Sequence, residues 1–152
     1  MEETVLELAQ AKASAVSARF PGAYVLGADQ ILDLGGIWYD KPRDHDEAVG
    51  HLRAFRGKAH HLVNGLAVVR DNERIWAWEE TAHMTVRDFS DGFLGRYLKN
   101  SGGEILESVG AYRLEGMGAQ LFERIDGDYF TVLGLPLLPL LAFLRQIGIT
   151  EP

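Results

Sequence analysis

Five short constellations carry residue types able to do chemistry. In Gly27-Ala28-Asp29-Gln30 a carboxylate follows directly on a short apolar run, and strand ends in open α/β sheets present side chains to a ligand crevice while the backbone stays rigid. Asp29 reads equally as the residue that starts a turn into the next hairpin. Lys41-Pro42-Arg43-Asp44 places two cations around a proline ahead of a helix start, an arrangement suited to holding phosphate oxygens. A solvated charged loop accounts for the same residues. Lys12 stands between Leu8 and Val16 at the spacing that turns it toward the apolar side of a helix, where it either snorkels to water or meets a buried phosphate. In Ser108-Val109-Gly110-Ala111-Tyr112-Arg113-Leu114-Glu115-Gly116, Glu115 ends a short strand candidate between glycines that allow close backbone approach; an exposed strand edge explains it as well. Asp126-Gly127-Asp128-Tyr129 offers two acids to a hard cation such as magnesium, or simply a turn.

Other signatures are missing from the chain. The five histidines lack the i, i+4 spacing of a helical zinc pair, and in a strand His60 and His61 point to opposite faces, so no metal is assigned to them. There is no Walker A loop, no G-x-G-x-x-G fingerprint and no G-x-S-x-G elbow.

The elements that must position these residues follow from periodicity. Over 4–20 the apolar residues Val5, Leu8, Ala9, Val16 and Phe20 recur at helical intervals until Pro21-Gly22 stops them. A β-prone run at 23–26, interrupted at 27–30, continues over 31–34, and Gly35-Gly36 turns it into Ile37-Trp38-Tyr39 as a hairpin. Asp44 with Glu47 three residues on has the capping-box pattern and opens a helix over 44–55, with Ala48, Leu52 and Phe55 on one face. Segments 61–70 and 74–86, parted by Asp71-Asn72-Glu73, read as two long antiparallel strands. Ser90 caps a helix over 90–99 with Phe93, Leu94, Tyr97 and Leu98 buried, and Ser101-Gly102-Gly103 ends it. Short strands are expected at 109–114 and 119–125, and Pro136 leads a last helix over 137–147. The pattern predicts one α/β or α+β layered domain over 1–152.

Composition sets the outer limits. The chain has 152 residues, 47% of them hydrophobic and 24% charged, which suits one ordinary globular core. Fifteen Lys and Arg against 22 Asp and Glu give a net charge of −7; that opposes binding of nucleic-acid polymers, which rests on neutralising many phosphates. A small anionic substrate stays open if local cations or a metal offset the field. The absence of cysteine excludes disulfides and thiolate chemistry and accords with a reducing compartment. No signal peptide is visible, and the longest apolar run, 132–144, is broken by Pro136 and Pro139 and falls short of the ~20 residues a membrane span needs. The expectation is a soluble cytoplasmic protein that contacts no membrane, with a homodimer among the assemblies allowed.

Taken in order, Leu8-Ala9-Gln10-Ala11-Lys12-Ala13, Gly27-Ala28-Asp29-Gln30, Lys41-Pro42-Arg43, Gly110-Ala111-Tyr112, Glu115-Gly116 and Ile125-Asp126-Gly127-Asp128-Tyr129 with Gly134-Leu135-Pro136 resemble the Maf family of nucleoside triphosphate pyrophosphatases across nearly the whole chain. The resemblance implies an α/β fold of the Maf and inosine-triphosphatase type, with an elongated mixed β-sheet flanked by helices. It further implies metal-dependent cleavage of a nucleoside triphosphate to the monophosphate and pyrophosphate, with Mg²⁺ or Mn²⁺ as the cation. By resemblance, Asp29 matches the proton acceptor, Lys12 and Lys41 match lysines at the phosphate site, and Gln30 and Glu115 match positions that set substrate choice. Asp29 and Glu115 are the acids expected to meet the metal. Gln and Glu at those two positions look like the branch acting on 7-methyl-GTP rather than the branch for thymidine and uridine triphosphates.

Departures from the family pattern accompany these matches. Asn64 stands where a Thr is common before Gly65, and Ser108 where many members have Lys or Cys. The usual N-terminal strand leading into a Ser-x-Ser-x-Arg-Arg loop and helix finds no match in 1–152. The resemblance therefore implies an N-terminally incomplete unit with a weakened triphosphate site. A competing expectation is a Maf-like nucleotide- or partner-binding module, linked to septum formation, that has lost turnover.

Overall fold

Small residues decide where the first helix lies. The structure, a computed structural model, describes residues 1–151. Helix α1 (Glu2–Ser17) buries Val5, Ala9, Ala13 and Ser17, one residue per turn at i+4 spacing, while Leu8 is exposed. The buried stripe is thus narrower and made of smaller side chains than the apolar pattern predicts. The reason lies beneath it: a Cβ at Gly27 would stand 2.0 Å from the carbonyl oxygen of Ala9, and one at Gly65 would stand 2.6 Å from that of Val5. Backbone meets backbone there, and only glycine leaves the room.

After α1 come β1 (Val25–Leu34), β2 (Ile37–Tyr39), α2 (His45–Phe55), β3 (Ala59–Arg70), β4 (Glu73–Val86), α3 (Asp91–Ser101), β5 (Phe122–Asp126), α4 (Tyr129–Val132) and α5 (Leu137–Gln146). The strands form one sheet in the order β2-β1-β3-β4-β5. β1 and β2 pair antiparallel, Leu32 opposite Tyr39, across Gly35 and Gly36, which both have positive φ. β4 and β5 also pair antiparallel, with a register irregularity at Thr85/Val86. Asp71 and Asn72 turn β3 into β4 with φ of 50° and 66°, the conformation of a tight two-residue hairpin turn.

The chain makes two compact units, the first from Met1–Gln30, Val63–Thr81 and the residues from Asp128 onward, the second from Ile31–Leu62 and Ala82–Gly127. In the first, Leu66, Val68, Leu140 and Phe143 form a buried cluster against which Ala28, Trp76, Leu135, Leu144 and Ile147 pack. Side chains alternate across a strand, so Gly27 and Gly65 face α1 while Ala28, Leu66 and Val68 face α5. The helices cover opposite faces of this part of the sheet. In the second unit Asp44 caps α2 by accepting from the Glu47 N–H at 2.8 Å, and Ser90 caps α3 by accepting from Phe93 at 3.1 Å, as the sequence predicts. Tyr39, His51, Phe55 and His60 pack ring to ring beside α2.

Two expectations need correcting. Residues 27–30 do not interrupt a strand: β1 runs through them, with Gly27 serving the helix above it and not a turn. Residues 109–114 are not a strand. Val109–Ala111 is a single 3₁₀ turn in which Gly110 has φ +80° and Ala111 φ +60°, and a Cβ at Gly110 would overlap Leu32 and the Tyr112 ring. Burial of the motif in a tight corner overrides its β propensity. Strand β5 begins only at Phe122, after a 3₁₀ segment at Met117–Leu121.

Candidate active site

Asp29 lies in mid-strand, on the face of β1 that carries Gly27 and α1. Its carboxylate is only 16% exposed and is ion-paired through Oδ1 with the Lys12 ammonium, which donates a second hydrogen bond to the Ala28 carbonyl at 3.2 Å. Seventeen residues apart in the chain, the two meet because α1 lies so close over Gly27. Lys12 neither snorkels away nor is buried; its side chain is 59% exposed. An ammonium has three donors, so two engagements with protein leave one for an incoming anion. Strand β2 pairs only with Leu32, Asp33 and Leu34, so along 25–30 β1 has no neighbouring strand on that side among the described residues.

Gln30 follows Asp29 and therefore turns to the other face. Its Nε2 donates to Asn64 Oδ1 at 3.0 Å and approaches the carbonyls of Thr131 and Val132 at 3.3 Å each. Asn64 in turn donates to the Glu80 carbonyl at 3.4 Å, and the Glu80 carboxylate accepts from Thr131 Oγ1 at 2.8 Å and Trp78 Nε1 at 3.0 Å. Asn64 and Thr131 are fully buried. This network was not foreseen as part of the site. Its signal was a polar Asn64 at the in-facing alternation of Leu62, Leu66 and Val68, where an apolar residue is expected and an amide must be hydrogen-bonded.

Lys41 and Glu115 belong to the second unit, and both are exposed. The neighbouring Arg43 is committed elsewhere: its guanidinium and backbone N–H bind Glu47 at 2.7 to 3.2 Å. Hydrogen bonding from Arg43 holds the Glu47 carboxyl down at about 2. Of the two cations around Pro42, the structure leaves Lys41 for other work.

Glu115 does not end a strand; it stands in a turn at 114–116, where Arg113 Nε donates to its Oε1 at 3.1 Å and Arg113 also reaches Glu104 at 3.3 Å. The hydrogen bond that Arg113 donates to Glu115, reinforced by the carboxylate's charge, raises the Arg113 pKa. Behind this loop, His60 and Tyr112 share a 2.7 Å hydrogen bond and the Tyr97 hydroxyl donates to Ala111 at 3.0 Å. Burial lowers the His60 pKa to about 4 and pushes the Tyr97 hydroxyl up to about 12. A cavity of about 450 Å³ lies among Tyr97, Asn100, Arg113 and the glycines 102, 103, 116 and 118.

Among the described residues no group of three or more His, Asp or Glu side chains converges to hold a metal. Asp29 and Glu115 are each paired with a cation of the protein. Their carboxylate oxygens suit a hard cation carried in on phosphate oxygens, as magnesium commonly is, rather than a resident all-protein cage. Asp126 bonds Arg124 and Asp128 caps α4, so that acidic pair does turn and capping work. No described helix is long and apolar enough to cross a membrane.

The first unit is an α/β layer, a sheet with helices on both faces and a lysine-paired carboxylate on β1. The chain belongs to the Maf family: the family model described as Maf-like protein matches residues 1–147. It is similar to a protein of Rhizobium meliloti (strain 1021) named 7-methyl-GTP pyrophosphatase, 53% identical over 146 residues that cover 96% of this chain and 73% of the relative. A protein of Paramagnetospirillum magneticum named nucleoside triphosphate pyrophosphatase is 51% identical over 95% of this chain and 75% of its own length. A Brucella suis protein, again named 7-methyl-GTP pyrophosphatase, is 52% identical over 95% of this chain and 73% of its own. Proteins so named are hydrolases. The expectation of a septum-linked binding module draws no support from these relatives.

Proposed function

We propose that this protein hydrolyses a nucleoside triphosphate to the monophosphate and pyrophosphate, with 7-methyl-GTP or a closely similar purine triphosphate as substrate and the cytoplasm as its place of work. The observation that carries the reading is the Lys12–Asp29 pair formed where α1 crosses β1, inside the stretch matched to the Maf family. Asp29 accepts a proton from a water that attacks the α-phosphorus. The bond from that phosphorus to the oxygen bridging toward the β-phosphorus breaks, and pyrophosphate leaves with the bridging oxygen. General-base assistance of this kind is worth roughly 10² to 10⁴ in rate. Lys12 offers its remaining donor to a phosphate oxygen, and Lys41 supplies a second point charge.

A divalent cation, held by Asp29 or Glu115 and the phosphates, would neutralise charge on the transferring group. The need is marked in a chain of net charge −7, which on its own repels a polyanion. The names of the Rhizobium and Brucella relatives support the 7-methylguanine reading. So does chemistry: methylation at N7 makes the purine cationic, and Glu115 already prefers a cationic partner in Arg113.

The test is release of pyrophosphate from a panel of canonical and 7-methylated triphosphates with Mg²⁺ and with Mn²⁺. The expected result is one pyrophosphate per monophosphate, fastest with a 7-methylated purine. Release of orthophosphate in its place, or no turnover of any triphosphate, refutes the reading.

A further inference from the structure

The direction of the Gln30 amide is settled by its partners. Nitrogen and oxygen of an amide are told apart by the network around them, and both ends of this one are backbone carbonyls, which can only accept. Thr131 and Val132 offer carbonyl oxygens to Gln30, so the atom facing them is Nε2. The Glu80 carbonyl faces Asn64, so that atom is Nδ2 and Asn64 turns Oδ1 to Gln30. Both Gln30 donors are directed inward, and its carbonyl Oε1 makes no hydrogen bond among the described residues. Gly134, with φ +98°, lies against the same amide; a Cβ there would stand 3.8 Å from it.

We propose that Asn64, anchored on the Glu80 carbonyl, is a positioning residue that holds Gln30 with its NH₂ inward and its Oε1 outward, so that position 30 acts as a hydrogen-bond acceptor and selects a base offering an N–H donor. The selection clause rests on the pyrophosphatase reading above; the orientation does not. A guanine ring, methylated at N7 or not, offers N1–H and the 2-amino group. A purine ring without substituents offers no N–H and leaves an acceptor unpaired, a mismatch that discriminates strongly in a desolvated site. Thr131 extends the device, since its hydroxyl ties α4 to Glu80 and so holds the two carbonyls that receive Gln30.

Two measurements test it. In the ligand-free protein, the Gln30 side-chain NH₂ should exchange with solvent slowly by NMR, and about tenfold or more faster in Asn64→Leu; exchange in the parent at the rate of a free glutamine amide overturns the orientation. In turnover, the kcat/KM ratio of GTP to purine riboside triphosphate should be about tenfold or more in the parent and fall toward unity in Asn64→Leu through loss with GTP alone. Asn64→Thr, whose hydroxyl both donates and accepts, should restore the ratio to within about threefold and also serves if the Leu variant folds poorly. Equal losses with both substrates would mark Asn64 as merely structural and overturn the positioning role. Absence of turnover with any triphosphate would overturn the selectivity together with the pyrophosphatase reading, and the exchange measurement alone would then decide the orientation.

Discussion

Asp29 and Glu115 are both acids paired with a nearby cation, yet their surroundings differ. Asp29 is carried by a continuous strand, is 16% exposed, and has its lysine pinned by a backbone carbonyl as well. Glu115 stands in a turn, is 40% exposed, and shares Arg113 with Glu104. A strand under a close-packed helix holds a group in one place, as proton transfer requires. A turn with a shared, exposed ion pair lets a carboxylate exchange one cationic partner for another at small cost. The first arrangement suits a step common to every substrate, the second a choice among substrates.

The largest expected effect tests that division directly. Asp29→Asn should lower pyrophosphate release by roughly 10² to 10⁴ with all triphosphates alike while the melting curve stays put. Glu115→Gln should instead reorder the substrates and leave the best rate within about tenfold. If the asparagine variant reorders substrates and the glutamine variant stops turnover, the roles are reversed and the comparison fails.

The loop that bears Glu115 rests on His60 and Tyr112, and this makes the second unit sensitive to acid. The folded pKa of His60 is depressed to about 4 by burial, below the ~6.5 of an exposed histidine. Between those values the unfolded chain binds a proton that the folded chain refuses, so stability is lost as pH falls from about 6.5 to about 4 and the loss ends below that. The amount is on the order of 3 kcal/mol. Urea unfolding at pH 7 and pH 4.5 should show it in the parent and not in His60→Gln. An identical pH dependence in both would show that the histidine does not control this region.

Gly27→Ala sharpens the other side of the comparison. The new methyl would collide with the Ala9 carbonyl at 2.0 Å, and overpacking against backbone costs about 1 to 3 kcal/mol. The helix must lift, carrying Lys12 with it, so activity and melting temperature should fall together. Gly95, which has open space around it on the exposed face of α3, is the control: Gly95→Ala should raise stability by about 0.5 to 1 kcal/mol. A Gly27 variant with unchanged melting temperature would show that α1 is not seated as described.

The smallest effects concern the ion pairs themselves. Lys12 and Arg113 are 59% and 41% exposed, so Lys12→Met and Arg113→Met should each change stability by less than about 1 kcal/mol. Only the lysine variant should slow turnover in common across substrates. A large stability loss in either would mean that these contacts hold the fold and are not poised for ligand.

Most of the secondary structure was legible in the sequence because its signals are local. The Asp44 and Ser90 caps, the Gly35-Gly36 and Asp71-Asn72 turns and the period of α5 depend on residues within a few positions of one another. The family was legible too, since the ordered motifs resemble the Maf family, to which the chain belongs. The tertiary structure alone decided which of the motif residues meet. Gly27 reads locally as a break in a strand, and only the Ala9 carbonyl above it makes it a seat for α1 and brings Lys12 to Asp29. Gly110-Ala111-Tyr112 reads locally as β, and only burial against Leu32 and Tyr97 bends it into a turn. Asn64 reads as an isolated polar residue until Glu80, sixteen residues on, and Thr131, sixty-seven residues on, are folded against it and Gln30. Contacts between distant segments are not encoded in any window of the chain; they arise when close packing forces each buried polar group and each backbone approach to find its partner.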